Sequence, residues 1–355
     1  MDGFEGNDSE GKAGRARYDY PFAEPPEPGS TLEVAPGVRW LRMPLPFSLK
    51  WINLWVLEDG GGWTVVDTGM PNSETKAHWR TVFENELQGR PVKRVIVTHM
   101  HPDHIGLAGW MTRKWQCELW ITRLEYMMCR LLAADTGREA PQAGVDFYRA
   151  AGWEQEDLDS YVERFGRFGK AVSQLPDAFR RLSDGQEISI GGRTWRIVTG
   201  CGHSPDHACL WQPELNVFIS GDQILPRISS NVSVVPTEPE ADPLADWLNS
   251  CRKLKAAIPE GALILPSHNE PFYGAHKRLD ALVEGHETAL KRLLSRLDEP
   301  KRAIELFTAL FARAIEKDVL GMATGETIAH LNCLKGRGLV TSVQDGGTTL
   351  YRRAS

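Results

Sequence analysis

One segment, VIVTHMHPDHIG at residues 95–106, constrains the fold more than any other part of the sequence. It begins as a continuous apolar strand and then places four potential metal ligands within six residues: His99, His101, Asp103 and His104. Ligands two residues apart on an extended turn point to the same side and can share one cation, whereas the Asp and the adjacent His, displaced by the proline bend, can face a second. Four such residues after one strand predict a site in which two first-row ions, about 3.5–4 Å apart, hold an oxygen nucleophile.

Three further candidate ligands lie downstream, each behind a run of β-type residues. His203 follows RTWRIVTG, Asp222 follows NVFIS, and His268 follows LILPS. Taken singly, each residue would be ordinary in a turn or on a surface. Because ligands at the carboxyl ends of strands meet along one edge of a sheet, their common placement predicts that they complete the site.

The order of strands and helices predicts an α/β (α+β) protein. Short β-rich runs, one helix and the buried strand before His99 alternate over about residues 32–98. Several amphipathic helices then interrupt this pattern at about residues 124–182, and a second β-rich half follows. We therefore predict one large domain at residues 31–280 with a helical insertion at about 124–182.

The two ends of the chain differ from this domain. Residues 1–30 are rich in Gly, Glu, Asp, Ser and Pro, which predicts a flexible arm. Residues 281–355 contain helical patterns and then two short β runs separated by Asp345-Gly346, a strong hairpin signal. This order predicts a small winged-helix-like domain. Since all seven candidate ligands precede residue 285, we expect the ligand set not to depend on that domain.

Composition excludes some classes of protein. No window approaches eighteen apolar residues, and the start of the chain is polar and acidic, so we expect neither a membrane span nor a secretory signal. The six cysteines form no C-x-x-C pair, which favours a reducing cytoplasm. The net charge of −6 argues against a surface built throughout for nucleic acid.

The motifs VVDTGMP, THMHPDHIG, TGCGHSPDH, ISGDQ and LPSHNEP, in that order, resemble the metallo-β-lactamase superfamily over roughly residues 32–275. Together with the predicted terminal module, they resemble its lactamase-B2-like and glyoxalase-II-like branch, in which a winged helix follows the hydrolase domain. The resemblance implies a four-layer αβ/βα sandwich with a dinuclear site at one end.

The resemblance also implies a role for each site residue. One ion is assigned to His99, His101 and His203, and the other to Asp103, His104 and His268. Asp222 is then the bridging carboxylate. Asp67 matches the first Asp of the family pattern and is expected to orient ligands through hydrogen bonds without binding metal itself.

Ligation by nitrogen and carboxylate oxygen without thiolate predicts two Zn²⁺ ions per chain, although Mn²⁺ and Fe²⁺ also suit such a site. The pattern H-x-H-x-D differs from the H-x-E-x-D pattern associated with redox di-iron relatives, and this difference favours hydrolysis. Two cations would lower the pKa of a water between them, so that hydroxide attacks an electrophilic carbonyl or phosphorus at neutral pH. We expect Asp103 to be essential for this reaction.

The substrate must be inferred from what surrounds the metals. The insertion carries apolar residues that suit an organic acyl group or simply pack the helices: Tyr126, Met127, Met128, Phe147, Tyr148, Trp153, Tyr161, Phe165 and Phe168. Residues 286–355 carry eleven Lys and Arg against eight Asp and Glu, a small excess. Four of these basic residues could contact the phosphates of RNA or of a coenzyme A tail: Lys335, Arg337, Arg352 and Arg353.

Three functions follow. The first is a hydrolase of a small-molecule ester or thioester, with the insertion as the acyl-side wall and the terminal module as a packing or homodimer contact. The second is a phosphodiesterase or endoribonuclease with the module as a nucleic-acid platform, a partner that the modest basic cluster does not favour. The third, a non-catalytic nucleic-acid-binding protein on the same fold, is disfavoured by the intact ligand set.

Some residues beside the ligands have two interpretations. We interpret His207 as a structural or ligand-supporting residue more readily than as a ligand. Small buried thiols explain Cys201 and Cys209 better than metal binding does. The segment Ser229–Asn231 either lines the pocket or is a plain connecting loop.

Overall fold

Two β-sheets packed face to face form the centre of the protein. The computed structural model describes residues 18–22, 24–46 and 48–354. The first sheet has seven strands in the order β1-β2-β3-β4-β5-β6-β7, of which β1 to β4 pair antiparallel and β4 to β7 pair parallel. Its strands are β1 (Leu32–Ala35), β2 (Val38–Pro44), β3 (Trp51–Asp59), β4 (Gly62–Val66), β5 (Val92–Ile96), β6 (Glu118–Thr122) and β7 (Arg180–Leu182).

The second sheet has five strands in the order β12-β11-β10-β9-β8, antiparallel except for the parallel pair β11–β12. A two-stranded hairpin, β13–β14, ends the chain. These strands are β8 (Glu187–Ile190), β9 (Arg193–Gly200), β10 (His207–Gln212), β11 (Val217–Gly221), β12 (Leu263–Pro266), β13 (Val340–Asp345) and β14 (Thr348–Arg353).

Helices cover the outer faces of both sheets and build the insertion and the terminal module. They are α1 (Ser73–Thr81), α2 (Pro102–Ile105), α3 (Ala108–Trp115), α4 (Arg123–Ala134), α5 (Gln142–Ala151), α6 (Gln155–Arg164), α7 (Pro243–Ala257), α8 (Ala275–Leu294), α9 (Phe307–Leu310) and α10 (Leu320–Gly336). Short π or 3₁₀ turns lie at Val82–Glu86, Phe168–Ala171 and Ala303–Leu306.

Strand β3 explains why the sheets are sandwiched between helices. Its residues alternate between two hydrophobic clusters: Leu54 and Val56 pack with the helices outside the first sheet, and Trp55 and Leu57 pack between the sheets. A third cluster lies between the second sheet and its helices. The resulting order of helices, sheet, sheet and helices is the four-layer αβ/βα sandwich that the sequence predicted.

The terminal module is part of the third cluster. Buried residues of α8 and α10 share it with the second sheet and with Trp153 of the insertion. The hairpin turns at Gly346 and Gly347, which both have positive φ, as a two-residue turn between twisted strands requires. The hairpin expected around Asp345 is therefore present, and the winged-helix assignment stays a prediction.

The start of the described chain lies against the second half. Tyr18 and Tyr20 pack against Phe272, and Asp19 pairs with Tyr273. Residues 1–17 of the predicted arm lie outside the described residues. Within the described part of the chain, no helix has the length and apolarity that a membrane crossing requires.

The shared cluster leads to a stability prediction. Leu331 on α10 is fully buried, whereas Leu339, just after the same helix, is 42% exposed. We expect Leu331→Ala to lower the free energy of unfolding by roughly 2–5 kcal/mol, because it leaves a cavity in a core shared with the hydrolase domain. Leu339→Ala should change it by less than about 1 kcal/mol. Urea unfolding measured by tryptophan fluorescence gives both values, and equal effects would contradict the shared core.

Candidate metal centre

Parallel strands bring the first ligands to one edge of the first sheet. Strands β4 and β5 run parallel, so Asp67 after β4 and His99 after β5 emerge side by side. His101 is then the N-cap residue of α2, and Pro102 is its first residue. Because proline suits the first helical position, the chain turns at once and carries Asp103 inward in the first turn.

The second sheet supplies the remaining ligands at its matching edge. Strands β11 and β12 are also parallel, and Asp222 and His268 lie just beyond their ends. His203 lies three residues beyond β9. The Ala208 amide donates across the sheets to the Thr98 carbonyl at 2.8 Å and holds the two edges together.

The structure brings all seven predicted ligands together at this edge. The Asp222 carboxylate lies between two sets of imidazoles. Its Oδ2 is 3.3 Å from His203 Nε2 and 4.0 Å from His99 Nε2, whereas its Oδ1 is 3.5 Å from His104 Nε2 and 3.6 Å from His268 Nε2. Each carboxylate oxygen therefore faces a different side of the cluster, which is the arrangement a bridging ligand needs.

Two compact groups of three ligands flank this carboxylate. In the first, His99, His101 and His203 converge, with 2.9 Å between His99 Nε2 and His101 Nδ1. In the second, the Asp103 Oδ2 atom lies 3.6 Å from His104 Nε2 and 3.5 Å from His268 Nε2. Within each group, the ligand atoms lie within 4.8 Å of one another.

Protein acceptors hold the outer nitrogens of the imidazoles. His104 Nδ1 lies 2.8 Å from Asp67 Oδ2, His203 Nδ1 lies 2.8 Å from the Asn231 carbonyl oxygen, and His268 Nδ1 lies 3.0 Å from the Trp51 carbonyl oxygen. A carbonyl oxygen and an ionised carboxylate only accept, so each of these nitrogens carries the hydrogen. The inward Nε2 atoms of neutral rings are thus left with free lone pairs, the state that binds a cation.

The buried inner atoms fit a metal. His104 Nε2, His203 Nε2 and Asp222 Oδ1 are buried and make no hydrogen bond within the described chain. Buried polar atoms are nearly always satisfied, because leaving one unpaired costs about 1–3 kcal/mol. Three such atoms in one cluster of imidazole and carboxylate donors fit divalent cations as the missing partners.

Asp67 occupies a constrained position beneath the cluster. Its φ of +61° lies in the left-handed region, where Asp is tolerated better than most side chains. Its carboxylate accepts from the Thr98 amide and hydroxyl, each at 2.8 Å, and from His104. Asp67 therefore joins the ends of β4 and β5 and orients His104, and it does not reach the inner face of the cluster.

Burial and charge set the protonation states of the ligands. Burial lowers the pKa of His99 well below its ordinary value and that of His101 to about 3, so both imidazoles are neutral at pH 7. Burial raises the pKa of Asp103, but the His104 and His268 imidazoles lower it more, to about 2. Burial lowers the pKa of His104, but three surrounding carboxylates, chiefly that of Asp103, raise it well above its ordinary value.

Sequence reasoning missed Glu125, a fully buried residue on α4. Its carboxylate accepts from the Met100 amide at 2.9 Å and from the Asp206 amide at 2.8 Å. These amides belong to the loops that carry His101 and His203, so Glu125 ties the two loops together. Glu125 lies three residues beyond β6, but the sequence pattern assigned residues from about 124 onward to the helical insertion, so Glu125 was not considered with the residues that follow strands.

Other residues contact the clustered side chains or their backbone without belonging to a ligand group. His207 Nε2 accepts from the Asp222 amide at 3.1 Å, and its ring stacks 4.8 Å from that of His99. Gly221 lets His207 approach, since a Cβ atom there would lie 2.4 Å from that ring. Cys201 and Cys209 belong to none of the ligand groups found among the described residues.

Comparison with known proteins agrees with this geometry. The sequence model of the metallo-beta-lactamase superfamily matches residues 52–268, and that of the metallo-beta-lactamase-like C-terminal domain matches residues 290–354. The crystal structure of a beta-lactamase domain protein from Burkholderia ambifaria is 41% identical, with a TM-score of 0.87 over 95% of this chain and 98% of that one.

Two curated proteins are also similar. The probable metallo-hydrolase YqjP of Bacillus subtilis is 23% identical over 88% of this chain and 96% of that protein. An atrochrysone carboxyl ACP thioesterase of Aspergillus fumigatus is 24% identical over 66% of this chain, but the match covers only 41% of that protein.

The protonation states predict proton release when metal binds. Carboxylates raise the pKa of His104 and of His268, so the metal-free cluster holds protons that a cation must displace. We expect at least one proton to leave as the cluster fills at pH 7, and the affinity to fall as the pH is lowered. Calorimetric titration with zinc in two buffers of different ionisation enthalpy measures this number. Binding without proton release would contradict the assigned charges.

Proposed function

Because the chain belongs to the metallo-β-lactamase superfamily, we propose that it is a dinuclear zinc-dependent hydrolase of a small-molecule ester or thioester. The observation that carries the dinuclear part is the Asp222 carboxylate, whose two oxygens face separate groups of ligands. A single cation would use one group and leave the buried donors of the other without a partner.

In this proposal, His99, His101 and His203 hold one cation, and Asp103, His104 and His268 hold the other. Imidazole and carboxylate donors without a thiolate suit zinc, and such a set also accepts manganese or iron. When bound, divalent cations make hydroxide available at neutral pH and stabilise negative charge on an attacked carbonyl oxygen.

The residues of the chain supply orientation and protonation. Asp67 and the Asn231 carbonyl keep hydrogens on the outer nitrogens of His104 and His203, which leaves the inner nitrogens free to bind. Glu125 holds together the loops that carry His101 and His203. These contacts fix the site before any substrate enters it.

A pocket of about 360 Å³ supports an acyl substrate. It lies between the insertion and the start of α10, and its lining includes Tyr148, Trp153, Phe165 and Met322. Aromatic and thioether walls suit an apolar acyl group, and the lining also includes one cation and one anion, Arg164 and Asp318. We propose that this pocket takes the acyl part of the substrate.

Not every apolar residue of the insertion serves this pocket. Tyr126 stacks on Phe179 at 4.1 Å and is buried, and Phe168 packs with the helices outside the first sheet. These two residues fasten the insertion to the sandwich. Tyr148 and Tyr161 instead line the pocket, as the proposed acyl-side wall requires.

The thioester preference gains support from a relative named as a carboxyl ACP thioesterase, although the match covers less than half of that protein. The charges of the terminal module argue against the nucleic-acid alternative. Lys335 lies 3.0 Å from Glu240, and Arg337 pairs with Glu287 through two contacts of 2.8 Å. Cations already paired with carboxylates attract phosphates weakly.

The first functional prediction concerns the reaction. We expect the zinc-loaded protein to hydrolyse an acyl thioester or ester, and Asp103→Ala to lower kcat/KM by at least about 100-fold, because the variant loses a ligand of one group. Asp177→Ala, which removes an exposed carboxylate, is the matched control. Initial rates on an acyl thioester, a carboxylic ester and single-stranded RNA measure the outcome. RNA cleavage without ester cleavage would refute the proposed substrate class.

A second prediction concerns the pocket. Gly321 lines it, and a Cβ atom there would meet only the Tyr148 hydroxyl, at 3.9 Å. Gly321→Leu should therefore fill the pocket and raise KM roughly tenfold for thioesters with bulky acyl groups, with little change for an acetyl thioester. Gly285→Leu is the matched control, because Gly285 lies on the exposed side of helix α8 and its Cβ would meet nothing within 4 Å. Equal effects on both substrates would rule out this acyl site.

A further inference from the structure

A chain of polar contacts connects the terminal module to the candidate metal centre. His203 Nδ1 donates to the Asn231 carbonyl at 2.8 Å, and the Asn231 side-chain amide donates to Glu326 Oε2 on α10, also at 2.8 Å. Glu326 is thus two contacts away from a ligand, although the two residues are 123 positions apart in the sequence.

The contacts around Asn231 leave it little freedom. Its side-chain oxygen accepts from Ser233 Oγ at 2.6 Å, and the same hydroxyl lies 3.3 Å from the Met322 carbonyl on α10. The Asn231 side chain is therefore held at its amide nitrogen by Glu326 and at its amide oxygen by Ser233. Because a side chain held at both polar atoms restricts the backbone to which it is attached, these contacts with α10 fix the Asn231 carbonyl that orients His203.

The backbones of the two segments also pack closely. The Val234 amide donates to the Gly325 carbonyl at 3.1 Å. A Cβ atom at Gly325 would lie 2.8 Å from the Ser233 Cβ, so only glycine permits this approach. The neighbouring Glu326 is thereby carried to Asn231 by the main chain of α10.

A second polar chain holds the start of the same segment. The Glu326 carbonyl can only accept, so His330 Nδ1 carries the hydrogen of their 2.8 Å contact. His330 Nε2 then accepts from His286 Nδ1 at 3.3 Å, and His286 Nε2 accepts from the Ser229 hydroxyl at 3.4 Å. Segment 229–234 is thus attached to α8 through Ser229 and to α10 through Asn231, Ser233 and Val234.

We propose that Glu326 is a positioning residue of the metal centre, acting through Asn231 on His203, and that the terminal module is thereby required for full affinity of the cation held by His99, His101 and His203. The proposal rests on the metal-binding part of the proposed function and is independent of the substrate. It differs from the expectation, drawn from the sequence, that the ligand set does not depend on the module.

The test measures zinc affinity by competition with a chromophoric chelator in the full-length protein. Glu326→Ala should weaken one of the two zinc equivalents by about 10- to 100-fold, as is typical when a partner behind a metal ligand is lost. Glu326→Gln keeps an oxygen that accepts from Asn231 and should remain within about threefold of the unmutated protein.

Asn332→Ala is the matched control. Asn332 lies on the same helix and donates to the Pro239 and Ala241 carbonyls at 3.0 and 2.8 Å, so it anchors α10 without contacting Asn231. Its loss should leave both zinc affinities unchanged. If Asn332→Ala weakened zinc as much as Glu326→Ala does, the effect would be general destabilisation and the proposal would fail.

A double-mutant cycle tests whether Glu326 affects zinc affinity through Asn231. Asn231→Ala removes the side chain that Glu326 holds, and combining it with Glu326→Ala should add nothing to the loss of affinity. Additive losses would exclude action through Asn231. If the unmutated protein bound no zinc, the proposed function itself would be wrong, whereas tight zinc binding in every variant would overturn only the role of Glu326.

Discussion

The fixed direction of the ligand imidazoles is the constraint on which the site depends. A buried imidazole that donates outward must find an acceptor in the protein, and these acceptors come from separate elements: Asp67 after β4, Asn231 after β11, and Trp51 at the start of β3. The imidazoles are therefore oriented for binding only when both sheets are folded and packed against each other. Residues far apart in the sequence become one functional unit because they share this requirement.

One parallel strand pair in each sheet meets that requirement with few residues. The pairs β4–β5 and β11–β12 each release two chain ends at the same edge, and the ligand loops are short enough to stay there. This is why the ligands could be predicted from the sequence: a polar residue directly after an apolar strand has a defined position in space. The seven candidate ligands followed from that regularity, whereas the sandwich was implied by the family resemblance and the insertion by the helical pattern at about residues 124–182.

The contributions that could not be predicted come from groups that another explanation covered or that any residue type supplies. Glu125 follows β6 by three residues, but it lies in the first turn of α4, where an acidic residue is common because it interacts favourably with the helix dipole. The Asn231 carbonyl is a main-chain acceptor, which any residue type would provide, so only its position identifies it. The packing of α10 against the hydrolase domain depends on which side of the helix faces the core, and its apolar residues surround the helix almost evenly.

The two candidate ligand groups have a further common property: each takes two residues from the loop and short helix α2 that follow β5, and one from a loop that follows a strand of the second sheet. A cation bound in either group would therefore join the two halves of the sandwich. By thermodynamic linkage, whatever free energy the cations gain on binding is added to the free energy that holds the sheets together. Metal supply would then control how long the protein persists as well as how fast it works.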